Sequence, residues 1–355
     1  MTMRVVYVGV GHGTCLSRLQ ALRTLESDVT DFVIDARRQM PSRLIRLADR
    51  TLFYTPGLRQ LNRDLLRFCA EAKPSIVWVD KSVWIWPSTL RALRRAGIYL
   101  VHHFTDALYP KPVDVWWSFH LLRRSLPLYH LNFTTNIDDV ALLRRRGEVG
   151  VELTHLAFDH ERFTADPLSV ADATAWAAPM IFIGHHEPRT ERYIRALLTA
   201  DIPIKVYGTG WPNHARDMAR RWPDAIGGPL SDSDYVKAIK GARIALCCVS
   251  EWNYNQTAAR SYEIPACGTF LLAMRTPQHV ESYREGVEAE FFDSPDELVS
   301  KARHYLAHDD ERKAVAAAGH RRCVTDEYTW ARYMRDDWAK VKKAFEAWRA
   351  DGHER

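Results

Sequence analysis

Short apolar runs punctuate this chain, and amphipathic stretches fill the gaps between them. Residues 4–10, 31–35, 74–80, 98–101, 131–136 and 151–156 each read as a strand. Continuous apolar runs of this length suit strands buried on both faces. A helix follows the first run from near Cys15, and another spans 89–95 before Gly97. The alternation then restarts with runs at 180–184, 204–208, 242–249 and 269–274. Strands alternating with helices predict a doubly wound parallel sheet, and the restart predicts a second one. Residues 157–167 are polar and read as the link between them. Residues 327–350 carry Trp330, Tyr333, Trp338, Phe345 and Trp348 on one long terminal helix.

In such sheets ligands bind beyond the carboxyl ends of the strands. Two stretches there draw attention. The run at 98–101 leads into His102, His103, Phe104, Thr105 and Asp106, which places two imidazoles and a carboxylate where a proton could be moved. The run at 242–249 leads through a loop to Arg260-Ser-Tyr-Glu263 and on to Gly268. Thr257 is placed to cap a short helix there, whose N–H groups, with the Arg260 fork, would favour a phosphate. Glu263 sits one turn on, suited to ribose hydroxyls. The same spacing also suits an ordinary crossover helix with solvated charges. Gly9-x-Gly11-x-Gly13 departs from the dinucleotide fingerprint and reads better as a tight strand-to-helix turn, although Gly11 is kept among the donor-site candidates.

Composition narrows the class. At 355 residues, two domains are the prior, and 46% hydrophobic with 26% charged residues is ordinary for a globular protein. No run approaches 18 apolar residues and no secretory leader is evident, so a cytoplasmic protein is expected. Six cysteines without a CxxC pair read as reduced, buried thiols, and a metal at His102, His103 and Asp106 is not expected, since no further His/Glu cluster with ligand spacing is read beside them. Residues 1–155 hold 22 lysines and arginines against 14 acids, in a chain whose net charge is +5. Many of these cations lie at 37–73: Arg37, Arg38, Arg43, Arg46, Arg50, Arg59, Arg63 and Arg67. They suit a solvated face, or peripheral docking on anionic lipid at the inner membrane face. Without aromatic interleaving or a known module, nucleic acid is not an expected partner.

Over residues 180–335 the order and spacing of several segments resemble the C-terminal domain of GT-B glycosyltransferases. Within that fold the match is to the spore-maturation-type (CgeB-like) branch, related to the glycosyl transferases group 1. The segments are Phe182-Ile183-Gly184 with Arg189 and Arg192, Tyr207-Gly208-Thr209-Gly210-Trp211, and Gly227-Gly228-Pro229. They continue with Asn255-Gln256-Thr257, residues 260–268, residues 291–298 and Ala316-Ala317-Ala318-Gly319. The resemblance implies two Rossmann-like domains facing across a cleft. Residues 1–157 would bind the acceptor, 158–326 the nucleotide-sugar donor, and 327–355 would return as a helix to the first domain. It implies transfer of a sugar from a nucleotide-diphosphate sugar to a hydroxyl of a glycan, lipid or small molecule, without a metal or cofactor. Glu263 would hold the ribose. Arg260, Gln256 and Thr257 would lie near the diphosphate, and Arg189 or Arg192 would neutralise the leaving group. Gly184 belongs to the same loop region, and Gly208, Gly210, Trp211 and Gly228 would border the base. Retaining relatives carry a glutamate where this chain has Asn255, so the stereochemical outcome is open. His102, His103 or Asp106 would act on the acceptor. A same-fold sugar-nucleotide epimerase and a non-catalytic nucleotide-sugar-binding protein are the alternatives.

Overall fold

The computed structural model describes residues 3–34, 55–81, 84–108, 119–147 and 150–352. The arginines at 37–50 lie outside them. The chain forms two compact units. The first takes in residues up to His155, the segment Trp252–Tyr254 and the chain from Trp330 on; the second holds Leu156–Glu251 and Asn255–Thr329.

The first unit starts with β1 (Val5–Gly9), α1 (Gly13–Leu25), β2 (Val29–Val33), α2 (Pro56–Ala72), β3 (Ile76–Asp80), α3 (Pro87–Arg95) and β4 (Tyr99–Phe104). It continues with α4 (His120–Ser125), β5 (Leu131–Thr134), α5 (Ile137–Arg145) and β6 (Val151–Leu153). The strands pair in parallel in the order β2-β1-β3-β4-β5-β6. Every residue of β1, β3, β4 and β5 is buried, as continuous apolar runs require when helices cover both faces.

Helix α2 illustrates how the sequence makes the layer. Thr55 caps it by accepting from the Leu58 N–H at 3.4 Å, and Pro56 opens it. Leu58, Leu61, Leu65 and Cys69 recur at helical spacing and are buried, while Arg59, Arg63 and Arg67 are not. Each fully buried leucine contributes roughly 2 kcal/mol.

The second unit contains α6 (Val170–Ala175), β7 (Ala178–Ile183), α7 (Pro188–Thr199), β8 (Ile204–Tyr207), α8 (Trp211–His214), α9 (Arg216–Arg221), α10 (Asp232–Gly241) and β9 (Ala242–Cys247). Then come α11 (Arg260–Ala266), β10 (Phe270–Met274), α12 (Pro277–Ser282), β11 (Glu290–Phe292), α13 (Pro295–Ala307) and α14 (Asp309–Thr325). Its sheet is also parallel, in the order β11-β10-β9-β7-β8. A core of Met180, Phe182, Ile194, Val206, Trp211, Ile244, Phe270 and their neighbours fills one face.

The terminal helix α15 (Trp330–Ala350) packs with α1 in the first unit. Its buried residues are Trp330, Met334, Asp337, Trp338, Val341 and Phe345, one stripe at helical spacing. Trp338 meets Trp78 with ring centroids 6.5 Å apart, and Phe345 meets Tyr99 at 5.5 Å. All six cysteines are buried and unpaired with one another. No helix among the described residues is long and apolar enough to cross a membrane.

Candidate functional site

The strand order of the second sheet fixes where a ligand could enter. From β7 the chain winds to β8 on one side, and from β9 it winds through β10 to β11 on the other. The two directions part between β7 and β9, which is the topological switch point of an open sheet. Gly184 follows β7 there, and Cys248 and Val249 follow β9.

Backbone bonds tie the loop after β7 to the loop after β8. Gly184 N–H donates to the Tyr207 carbonyl at 2.9 Å, and His186 N–H to the Thr209 carbonyl at 3.0 Å. The approach is close enough to demand glycine. A Cβ on Gly208, whose φ is +144°, would lie 1.9 Å from the Gly184 carbonyl oxygen. A Cβ on Gly184 would lie 2.7 Å from the Phe182 ring and 3.3 Å from the Arg260 guanidinium. Gly210 starts α8 in the left-handed region. Gly228 accepts from the Gly208 N–H at 3.1 Å. Trp211 is buried, and its indole N–H donates to the Gly184 carbonyl at 2.9 Å. The indole therefore supports the glycine loop from inside the core and offers no face to a base, which corrects the expectation for this residue.

Two arginines converge on the end of β9. Arg260 donates to the Cys248 carbonyl at 3.4 Å, and its guanidinium carbon sits 5.7 Å from the centroid of the Phe182 ring. Its Nε is buried and has no hydrogen-bond partner. Arg189, in the first turn of α7, donates to the Val249 carbonyl at 2.9 Å, and its Nε is likewise buried without a hydrogen bond. Glu251 stands 3.7 Å from that Nε, while its own backbone N–H is held by Glu187 at 3.0 Å. Among the described residues no carboxylate forms an ion pair with Arg260. Arg260 is half-buried and feels the Glu263 charge without pairing with it directly, which leaves donors of its fork open to an anion. Arg192 is exposed on the outer side of α7.

Glu263 is buried on α11 and accepts from the Tyr235 hydroxyl at 2.5 Å. Burial raises its pKa; the Tyr235 bond and the charges of Arg260 and Arg162 pull the other way. The Tyr235 hydroxyl is pushed well up, first by burial and then by the Glu263 charge. Arg162 lies over the Phe163 ring at 5.0 Å and the Tyr235 ring at 5.8 Å. Thr257 does not cap α11. The helix begins at Arg260 with Ala259 as N-cap, and the Thr257 hydroxyl turns to the Gln278 side chain at 3.4 Å. The Gln256 carbonyl is taken by the Thr276 hydroxyl at 2.6 Å. The Asn255 side-chain oxygen is buried without a partner.

Tyr235, Phe182 and Arg162 were not singled out by sequence as binding groups. Tyr235 lies 28 positions from Glu263, and Arg162 lies in the presumed linker, so neither falls in a local motif. Phe182 does fall in the segment 182–184, where only its place in the order of segments marked it.

In the first unit the same topology gives a switch point between β1 and β3. Gly11 lies exposed on the turn after β1. Beneath it, Asp80 accepts from Arg18 Nε at 2.7 Å and from a second Arg18 nitrogen at 2.8 Å, and the Tyr7 hydroxyl also bonds Asp80. Arg18 and Asp80 are fully buried. Burial alone would raise the Asp80 pKa, but the Arg18 charge overrides it and holds the group at about 2.

The two histidines are corrected by the structure. β4 runs on to Phe104, so His102 and His103 are strand residues, and both are 0% exposed. Burial lowers the His102 pKa to about 4 and the His103 pKa well below its ordinary value. His102 stacks on Tyr129 with centroids 4.6 Å apart, and His103 Nδ1 lies 3.7 Å from Asp80. Neither ring reaches a surface from which it could take a proton. Asp106, beyond the strand end, is partly exposed and accepts from the Asn253 side-chain amide at 3.1 Å.

Residues 189–336 match the family model described as "Glycosyl transferase-like". No curated protein sequence matches the chain significantly. Among solved structures, sucrose-phosphate synthase (tll1590) from Thermosynechococcus elongatus superposes with a TM-score of 0.71 at 12% identity, covering 97% of this chain and 100% of that one. Anabaena Alr3699/HepE in complex with UDP-glucose gives 0.68 at 12% identity, covering 96% and 100%. A putative UDP-N-acetylglucosamine 2-epimerase from Listeria monocytogenes gives 0.62 at 13%, covering 98% of each. The two parallel-sheet units are thus those of the GT-B glycosyltransferase fold, and residues 189–336 carry the pattern of a glycosyl transferase-like family.

Proposed function

We propose that this chain is a glycosyltransferase that takes a sugar from a nucleotide-diphosphate sugar and places it on a hydroxyl acceptor. The observation that carries the reading is Arg260: a half-buried cation at the β7/β9 switch point, with no ion-pair partner among the described residues and its buried Nε–H donor unused. A donor diphosphate supplies the missing anion. As the bond to the anomeric carbon breaks, negative charge grows on the leaving diphosphate, and Arg260 with Arg189 stabilises it from fixed positions. Glu263, held by Tyr235, accepts from the ribose. The cations of the chain carry the leaving-group charge in this reading, and no step is routed through a metal.

The acceptor hydroxyl needs a base, and Asp106 is the group we assign to it in place of the buried histidines. The CgeB-like branch is the finer placement we favour, on the segments at 207–211, 227–230 and 260–268. We further propose that the basic face of α2, with Arg59, Arg63 and Arg67, allows peripheral contact with anionic lipid.

The test is a panel of uridine, guanosine, adenosine and thymidine diphosphate sugars, each incubated with the protein and mixed hydroxyl acceptors. Release of nucleoside diphosphate that depends on acceptor supports transfer. An altered sugar formed from donor alone would mean epimerisation, in line with the 2-epimerase among the solved structures of similar fold. Donor binding without any turnover would leave a binding protein.

A further inference from the structure

We propose that His304, His308 and Glu311 form a surface site for a zinc-class divalent cation at the corner between α13 and α14. None of these residues belongs to the donor site, so the inference stands apart from the function proposed above.

The corner is sharp. α13 ends at Ala307, α14 begins at Asp309, and His308 is the single residue between them. His304 lies in the last turn of α13 and Glu311 in the first turn of α14. The bend brings side chains from both helices to one place. His304 Nε2 and Glu311 Oε2 are 2.8 Å apart, and the His304 and His308 rings stack with centroids 4.2 Å apart at 22°. One ligand atom from each of the three residues falls within 4.8 Å of the others. Tetrahedral zinc with bonds of about 2.0–2.2 Å holds its ligands roughly 3.4 Å apart. All three side chains are exposed, so small rotations close that gap without disturbing packing.

A second feature favours a metal over a plain His–Glu pair. His308 Nδ1 lies 2.8 Å from the His304 backbone carbonyl. With its N–H donated there, Nε2 keeps its lone pair free for a ligand bond. Metal-binding histidines are oriented and fixed in tautomer in this way by an outer partner. An ion pair needs only His304 and Glu311; the carbonyl-fixed His308 adds a third donor to the same spot. The nearby Asp309 is already engaged by Arg243, Arg312 and Lys313, which leaves Glu311 as the one anionic ligand. Two imidazoles and one carboxylate, with water completing the shell, suit zinc rather than magnesium, which prefers oxygen ligands in an octahedron.

The cation would pin the end of α13 to the start of α14. α14 leads from this corner to the donor-site helix: His320 Nδ1 meets the Pro265 carbonyl at 3.1 Å and Cys323 bonds the Tyr262 carbonyl. The role assigned to the site is therefore a clamp on the second unit.

The experiment uses the full chain stripped with chelator and titrated with zinc chloride against a chromophoric chelator. The account expects one equivalent of zinc and a rise in melting temperature, because the ion binds the folded state. H304A, H308A and E311Q should each weaken binding, and H304A/H308A together by at least tenfold, with the zinc-induced rise lost. Far-UV circular dichroism and the metal-free melting temperature of each variant, expected near wild type, separate loss of ligands from loss of fold. Magnesium at the same concentration should produce no rise, and zinc affinity should fall as pH is lowered, since the ligands must be deprotonated. Undiminished affinity in the double variant, or a wild-type protein that binds zinc no better than the double variant, would overturn the site. Equal stabilisation by magnesium would overturn its chemical class.

Discussion

The two units carry the same kind of sheet, yet their switch points are built in opposite ways. In the first, Arg18 meets Asp80 through two nitrogens at 2.7 and 2.8 Å, and the Tyr7 hydroxyl joins them, all fully buried. In the second, Arg260 meets a carbonyl and the face of an aromatic ring, and among the described residues no carboxylate forms a direct ion pair with it, although the Glu263 charge acts on it. A charge that is neutralised inside the chain holds the fold together. A charge that is left open at a strand end invites a ligand anion. Topology alone marks both places, and the pairing of the arginine tells them apart.

The comparison can be broken by exchanging one arginine at a time. R18M leaves Asp80 buried without its cation, which should cost about 4 kcal/mol of stability, read as a large fall in the denaturation midpoint. R260M removes a cation that has no ion-pair partner among the described residues, so its stability should stay within about 1 kcal/mol of wild type. If R260M destabilised the protein as much as R18M, the distinction between the two switch points would fail. R260A should instead lower affinity for the donor diphosphate by about a hundredfold, which is the scale of losing one preorganised charge donor. Calorimetry with the nucleotide sugar that the panel selects reads this directly.

A titrating acid gives a third test, away from both arginines. Asp337 is buried on α15, accepts from the Thr154 hydroxyl at 2.6 Å, and has Lys340 3.7 Å away. Burial raises its pKa to about 7, against the Thr154 bond and the Lys340 charge. The unfolded group titrates near 4, so between about pH 4 and 7 the folded state holds a proton that the unfolded state has lost. Its contribution is complete below pH 4 and is lost as pH rises to 7, with a slope of at most about 1.4 kcal/mol per pH unit. D337N should flatten that part of the stability profile and raise stability at pH 8. An unchanged profile would mean that Asp337 is not the titrating group.

The smallest expected effect is at Tyr235. Y235F keeps the ring against Phe163 but removes the bond to Glu263, and should weaken nucleotide binding about fivefold, near 1 kcal/mol. Binding of inorganic pyrophosphate should be unaffected, because Tyr235 acts on the ribose end.

Much of the fold was legible because parallel strands must be continuous apolar runs, and those stand out at 4–10, 74–80, 180–184 and 242–249. The positions of Arg189, Arg260 and Glu263 were legible through the order of short segments. What failed was local depth. His102 and His103 look polar, so the strand seemed to end at Val101, but neighbouring strands extend β4 through Phe104 and bury both rings. Trp211 was expected to border the base, yet it is buried and its N–H is spent on the Gly184 carbonyl. Thr257 had the chemistry of a cap, but the helix starts three residues later. Each error concerns which way a side chain faces, and that is decided by contacts far away in sequence. Tyr235 and Arg162 were missed for the same reason.

The central claim is that the β7/β9 switch point holds a diphosphate through Arg260. The most direct measurement is the melting temperature of wild type and R260A with saturating nucleoside diphosphates and their sugars. A ligand present at a hundred times its Kd adds about 2.7 kcal/mol to the folded state. The account predicts that at least one nucleotide raises the wild-type midpoint by several degrees and moves R260A by a small fraction of that. A midpoint that rises equally in both proteins, or in neither with any nucleotide, would contradict it.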